Sequence, residues 1–196
     1  MSSISENYKP YRWFFTSTNK LVIGGKSAEQ NDLLLKSLKK ESLDYLIMHT
    51  SSPGSPFSVI LSPALSLTGQ DIEEAAIFTG CFSRAWKLGK REVIVDIFYL
   101  SQLSKEKKMK TGTWGVKGKV QRKKVILELA LTRQKGILRA VPIPTIKYKK
   151  DIILLIKPGK IPKEEMLPKI QVEISNHLKQ DELLAALPAG GVSIKR

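Results

Sequence analysis

The chain has 196 residues, with Lys and Arg at 33 positions against 18 Asp and Glu, a formal net charge of +15 and one cysteine, Cys81. That length can bury a core without cross-links, whereas a lone cysteine excludes an internal disulfide and any metal site built on several cysteines and fits a reducing compartment. The charge excess points to a polyanionic partner; no apolar run reaches membrane-spanning length and the N-terminus lacks a basic-then-apolar leader, so a soluble, cytoplasmic chain with no membrane partner is expected.

Residues 1–10 are polar and are expected to be disordered. Arg12 to Thr16 and Lys20 to Ile23 are rich in aromatic and β-branched residues around a polar turn, which predicts a hairpin. Gly24-Gly25 ends its second strand. Ser27 with Gln30 makes a capping-box pattern ahead of a helix from Ala28 to about Leu38. The word Gly25-Lys26-Ser27 resembles the end of a phosphate-binding loop, but Lys20 stands where that loop needs its first glycine. Gly112 to Lys119 fails the same spacing test, so no nucleotide-triphosphate site is expected.

Leu43 to Met48 and Phe57 to Leu61 read as strands around a Ser/Pro/Gly loop, with His49 at the first strand's end as a hydrogen-bonding anchor. Ile72, Ala75, Phe78, Phe82 and Ala85 trace one helical stripe, predicting a single helix over Asp71 to Leu88. Glu92 to Leu100 reads as a central strand in which Asp96 must face solvent or find a partner. Val125 to Leu131 and Ile137 to Val141 read as an antiparallel pair joined by Thr132 to Gly136. Past Pro142 and Pro144 the pattern predicts a strand at Asp151 to Ile156, a turn at Lys157-Pro158-Gly159, a helix from Lys163 to Leu178 interrupted by Pro168, a short helix at Asp181 to Leu187 and a last short strand.

The most distinctive window is Lys105 to Lys124, KEKKMKTGTWGVKGKVQRKK, where Glu106 is the only acid. Lysines neutralise phosphates, glycines permit close approach, and Trp114 either stacks on an unpaired base or is buried in the core. Lys105, Lys107, Lys108, Lys110, Lys117 and Lys119 are the candidate phosphate contacts.

Several ordered words carry a family resemblance: Tyr11-Arg12-Trp13-Phe14, Leu21 to Lys26 with Gln30 to Leu34, His49, Gly54-Ser55-Pro56, Ala85-Trp86, Leu103-Ser104-Lys105 and Gly112 to Lys119. Over residues 11–142 the chain resembles the NFACT-R domain of ribosome quality control factors related to fibronectin-binding protein A. The resemblance implies binding of RNA, either tRNA or ribosomal RNA, at the large ribosomal subunit, and it adds Arg12, Lys26, Asn31, His49 and Ser104 to Lys105, Lys117 and Lys119 as RNA contacts. One departure is Phe98 to Leu103, where the family often carries more aromatics before a Gln-Val-Ser-Lys word. A 196-residue chain has no room for the N-terminal domain, helix-hairpin-helix elements and coiled coil of the full-length factors, so a stand-alone domain without tail elongation of its own is expected.

The expected fold is α+β: a mixed, largely antiparallel sheet with two main helices packed on it, and a small C-terminal αβ extension over residues 143–196 that packs on the main domain. The expected function is non-catalytic RNA binding, with no cofactor and no metal. One rival is an RNA-processing or RNA-modifying enzyme using His49, Asp96 and Lys105, although no nucleophile-base spacing supports it. The other is a basic module for DNA or anionic membranes, which would want a basic amphipathic helix with a free apolar face.

Overall fold

The computed structural model describes residues 3–174 and 178–195. The first half of the chain runs α1 (Ser3–Glu6), β1 (Arg12–Phe15), β2 (Leu21–Gly24), α2 (Ala28–Leu38), β3 (Leu46–Thr50), β4 (Ser58–Ile60), α3 (Gly69–Cys81), α4 (Arg84–Lys87) and β5 (Glu92–Tyr99). The second half runs β6 (Leu103–Ser104), β7 (Gly115–Val116), β8 (Gln121–Ile126), β9 (Leu129–Gln134), β10 (Ile137–Val141), β11 (Leu154–Pro162), α5 (Lys163–Glu173), α6 (Gln180–Ala186) and β12 (Gly191–Lys195). A six-stranded sheet is ordered β1-β2-β4-β3-β5-β8, a four-stranded sheet β10-β9-β11-β12, and β6 pairs with β7. Every strand pairing among the described residues is antiparallel. The fold is α+β, as expected, and the largely antiparallel pairing expected from sequence is antiparallel at every described pair.

The central strands are almost continuously apolar because both faces of the large sheet are covered. Successive side chains alternate between faces. Phe14, Val22, Met48, Ile60, Val95 and Ile97 join one core with α3, α4 and the smaller sheet. Trp13, Ile23, Ile47, Val59 and Phe98 join a second core under α2. A sheet buried on both faces reads as an unbroken hydrophobic run, which hides the period of two.

Three local devices fix the elements nearest the candidate site. Ser27 caps α2 by accepting from the Gln30 amide at 3.2 Å, as its sequence pattern predicts. Thr68 and Asp71 form a full capping box on α3. Asp71 also accepts from the hydroxyls of Thr16 and Thr18, each at 2.6 Å, which pins the first hairpin turn to that helix. At the rim of the large sheet, the Gln134 side chain accepts from the Phe15 amide and donates to the Phe15 carbonyl, each at 2.8 Å. One side-chain amide thus does for β1 what a neighbouring strand would do, and it ties the large sheet to β9.

Several sequence expectations are corrected. The N-terminal segment is not formless: α1 buries Ile4, and the Tyr8 ring packs edge-on against Trp13 at 5.0 Å. The helix expected over Asp71 to Leu88 is two, because the Ser83 hydroxyl donates to Gly80 and accepts from the Ala85 amide, restarting the chain as α4. The strand expected over Val125 to Leu131 is divided at Leu127-Glu128 between β8 and β9, which belong to different sheets. The turn expected at Lys157 to Gly159 lies inside β11, where the register against β12 shifts between Pro158 and Pro162. A Cβ on Gly159 would stand 2.4 Å from the Val192 carbonyl carbon, so only glycine permits that crossing. The α5 helix ends at Glu173, and residues 175–177 of its expected continuation, His177 among them, lie outside the described residues.

Residues after Pro142 complete a sheet begun before it, since β11 pairs with β9 as well as with β12. Leu154, Ile156, Ile170 and Leu183 belong to the same core as Phe14 and Phe78, and the Trp86 indole donates to the Gly191 carbonyl at 3.0 Å. A chain truncated after Pro142 should therefore lose its cooperative transition or melt at least about 10 °C lower, since each lost core residue costs a few kcal/mol. An unchanged unfolding midpoint by calorimetry would make residues 143–196 an independent appendage.

Candidate nucleic-acid interface

The basic window is an ordered loop organised around one carboxylate. Asp32, in the first turns of α2, has a side chain only 10% exposed. It accepts from the Trp114 indole at 2.7 Å and from the Gly112 amide at 3.1 Å, and pairs with the Lys105 ammonium at 3.0 Å. Burial by itself would raise the Asp32 carboxyl, but the hydrogen bonds from Lys105, Trp114 and Gly112, with the charge of Lys105, outweigh it and hold the group below the usual carboxylate range. Lys105 donates further to the carbonyls of Lys110 at 2.8 Å and Thr113 at 2.9 Å. Its ammonium is therefore consumed in closing the loop on itself.

Glycine is required where this loop meets α2. Gly112 has φ of 77°, and a Cβ there would lie 2.7 Å from that of Ala28, the first residue of the helix. The far end of the loop is held by Gln102, whose side-chain amide donates to the carbonyls of Lys117 and Lys119, each at 2.8 Å. Between these clamps Lys107, Lys108, Lys110, Lys117 and Lys119 are exposed, and none belongs to an ion pair among the described residues.

The remaining candidates divide by burial. Trp114 takes the buried alternative, at 9% exposure, and belongs to the core under α2. Its ring cannot serve as an open stacking platform. Asn31 is buried and accepts from the Phe57 amide at 3.1 Å, which makes it a brace between α2 and β4. Ser104 is half-buried in the short β6–β7 ribbon opposite Gly115. His49 lies against Phe57 at 4.5 Å, and its Nδ1 donates to the Thr50 carbonyl at 2.7 Å, as the acceptor-only carbonyl demands. Burial lowers the imidazole, more strongly than the Thr50 carbonyl and Asp96 raise it, so the ring is neutral at pH 7 and is no phosphate-neutralising cation.

Asp96 faces His49 across β3 and β5, accepts from Ser51 Oγ at 2.5 Å and pairs with Arg122 at 3.4 Å. It is half-buried and partnered rather than solvent-facing. Lys105 belongs to the Asp32 knot, so the structure does not gather the constellation of His49, Asp96 and Lys105 into one site. Among the described residues no group of His, Cys, Asp or Glu side chains could hold a metal, and no helix is long and apolar enough to cross a membrane.

Arg12 and Lys26 are brought together. Arg12 pairs with Gly24 in the first hairpin, which places Lys26 just past its cross-strand partner. Arg139 of β10, which sequence reasoning passed over as an ordinary strand residue, lines the same crevice. Asp32 was passed over as well. Only its place in the word Gln30 to Leu34 signalled it, because its partner Trp114 is 82 residues away.

The sequence pattern defining the NFACT protein RNA binding domain matches residues 10–118, more than half of the chain and all of the loop from Lys105 to Gly118. The chain belongs to that family. Similarity to the archaeal Rqc2 homolog aRqcH of Methanocaldococcus jannaschii reaches past the NFACT domain, at 26% identity over 199 residues, covering 95% of this chain and 29% of that protein. The ribosome quality control complex subunit NEMF of Homo sapiens is 29% identical over 123 residues, covering 57% of this chain and 11% of that protein. Its Drosophila melanogaster homolog is 28% identical over the same length, covering 57% and 12%. The chain thus spans less than a third of the length of these relatives. Among solved structures, the C-terminal part of the fibronectin/fibrinogen-binding protein from Streptococcus suis aligns over 60% of this chain and 44% of that one, at 25% identity and a TM-score of 0.49.

The Asp32 knot yields a stability prediction with a definite pH sign. A carboxyl depressed by folding contributes fully above its unfolded value of about 3.9 and loses that contribution as pH falls through the lower folded value. Asp32→Asn should cost about 1.5 to 3 kcal/mol at pH 7 and should remove part of the acid destabilisation seen below about pH 4, measured by urea unfolding across pH. Trp114→Ala should cost about 3 to 5 kcal/mol of stability, and a variant melting like the wild type would return Trp114 to the surface.

Proposed function

We propose that this NFACT RNA-binding chain binds structured RNA, tRNA or ribosomal RNA, without chemistry of its own, as part of ribosome-associated quality control in the cytoplasm. The carrying observation is the ordered loop that presents Lys107, Lys108, Lys110, Lys117 and Lys119 to solvent with no ion pair among the described residues. A clamped loop of uncommitted ammonium groups fits a phosphate backbone, because each contact releases condensed counterions and little ordering entropy remains to be lost. The chain's net charge of +15 supports the same partner at longer range. Relatives named for ribosome quality control support a ribosome-associated setting, within which the large subunit is part of this proposal. The non-catalytic reading is supported by the lysine of the tempting triad being spent on Asp32 and two carbonyls.

Phosphate contacts position a protein without reading bases. Lys117→Ala with Lys119→Ala should therefore weaken binding to tRNA and ribosomal RNA fragments about equally, and should lower the slope of log affinity against log salt by roughly one to two units. The melting temperature should stay within about a degree or two, since exposed lysines contribute little to stability. Wild-type affinity and slope in the double variant would remove this loop as the interface.

A further inference from the structure

Among the described residues four cations outside the loop belong to ion pairs, Arg122 with Asp96, Lys123 with Glu73, Lys124 with Glu92 and Arg133 with Glu182, and most do not. The crevice between β1 and β10 gathers three of the latter. It is lined by Arg12, Lys26 and Arg139 together with Trp13, Phe82 and the small Ala185 and Ala186 of α6. None of the three cations has a carboxylate within ion-pair distance among the described residues. The buried Nε of Arg139 and the indole nitrogen of Trp13 both lack a hydrogen-bond acceptor. Every polar group named here is a donor.

Packing explains how such a cluster stays folded, and what it leaves free. The Arg139 guanidinium lies over the Trp13 ring at 4.1 Å, and that of Arg12 over Phe82 at 4.8 Å. A guanidinium over an aromatic ring is held there by cation–π attraction, and its terminal N–H groups remain of the kind that suits phosphate oxygens. The cost of convergence shows in the titration of the same groups. Burial lowers Arg139 to about 10, with Arg12 adding to the shift and Tyr8 opposing it. Burial lowers Arg12. Desolvation, then the charges of Arg12 and Arg139, lower Lys26. All three remain cationic at neutral pH, repelling one another until an anion arrives.

We propose that Arg12, Lys26 and Arg139 form a phosphate-binding pocket where the two sheets meet, and that it takes one backbone phosphate of RNA, an assignment that rests on the RNA reading above. The enclosed space is only about 10 Å³, room for about one water, so the phosphate sits at the mouth of the crevice beside the exposed Lys26, and no nucleoside fits inside. Lys26 immediately precedes the Ser27 cap of α2, and Gly112 of the basic loop packs on Ala28 at the same helix end. Pocket and loop therefore border one helix terminus, whose dipole favours negative charge.

The test uses the full chain, with the arginine Nε–H resonances followed by NMR during titration with inorganic phosphate at ionic strength held constant with chloride. Saturable shifts at Arg12 and Arg139, with affinity reduced about tenfold or more in Lys26→Ala, are expected. Absent or linear shifts, or an affinity unchanged by Lys26→Ala, overturn the pocket. Lys26 is exposed, so its variant should fold, and the melting curve checks that it does. A second arm measures RNA affinity against salt, where Lys26→Ala should reduce the slope by about 0.7 to 0.9. Saturable phosphate binding with an unchanged RNA slope assigns the pocket to a free phosphate and overturns the RNA assignment. If the wild type binds no RNA at all, the function proposed above fails, while the phosphate titration still decides the pocket.

Discussion

The carboxylate of Asp32 is the constraint on which the basic loop depends. A run of lysines within a few residues of one another repels itself and has no reason to adopt one shape, and Glu106 is exposed within the run. Asp32 supplies the missing counter-charge from a different element, and it does so in a site dry enough for each hydrogen bond to count. By taking the ammonium of Lys105, the indole of Trp114 and the amide of Gly112 together, it fixes where the loop begins, where it touches α2 and which way it turns. The lysines that remain face water because the one that could have neutralised the knot already has.

That division recasts what a basic surface is. Charge count alone treats all lysines and arginines alike, whereas geometry separates those already satisfied from those still lacking an acceptor. Lys105 and Lys123 are satisfied by carboxylates. Lys163 is half-buried, with its ammonium on the Leu184 carbonyl at 2.9 Å. Lys107, Lys108 and Lys110 are not satisfied, and neither are Arg12 and Arg139 between the sheets. Two kinds of uncommitted cation result: flexible ammonium groups on a clamped loop, and guanidinium groups locked against aromatic rings. The first kind suits long-range attraction and the second suits positioning.

Local patterns in the sequence carried the elements whose signals are local. The Ser27 cap, the β1–β2 and β9–β10 hairpins and the apolar face of α2 all depend on residues a few positions apart. What escaped depends on distant partners. Trp114 could be read as either core or platform until Asp32 was seen to lie beneath it, and nothing near position 114 reveals that. The break between α3 and α4 was hidden because Phe82 and Ala85 continue the helical stripe, while Ser83, which ends it, is a residue that helices tolerate. The split at Leu127-Glu128 was hidden because β8 and β9 are both apolar where they enter their cores. The neutral state of His49 was illegible for the same reason, since Phe57 and the Thr50 carbonyl determine it.

The side chain of Gln134, lying along β1 as a surrogate strand, bears on how this molecule behaves at high concentration. An open sheet rim offers unpaired amides and carbonyls to any other copy of the chain, which is how sheets extend into aggregates. Here the two rims of the six-stranded sheet are protected by unlike means. At β1 the Phe15 backbone is already occupied from within the molecule. At β8 the rim carries Arg122, Lys123 and Lys124, each held by a carboxylate of a neighbouring element, so a strand approaching edge to edge would meet a row of ion-paired, hydrated side chains and not a bare apolar edge. One rim is closed by a side-chain amide and the other by ion pairs, so neither leaves a bare backbone edge for a second copy to extend.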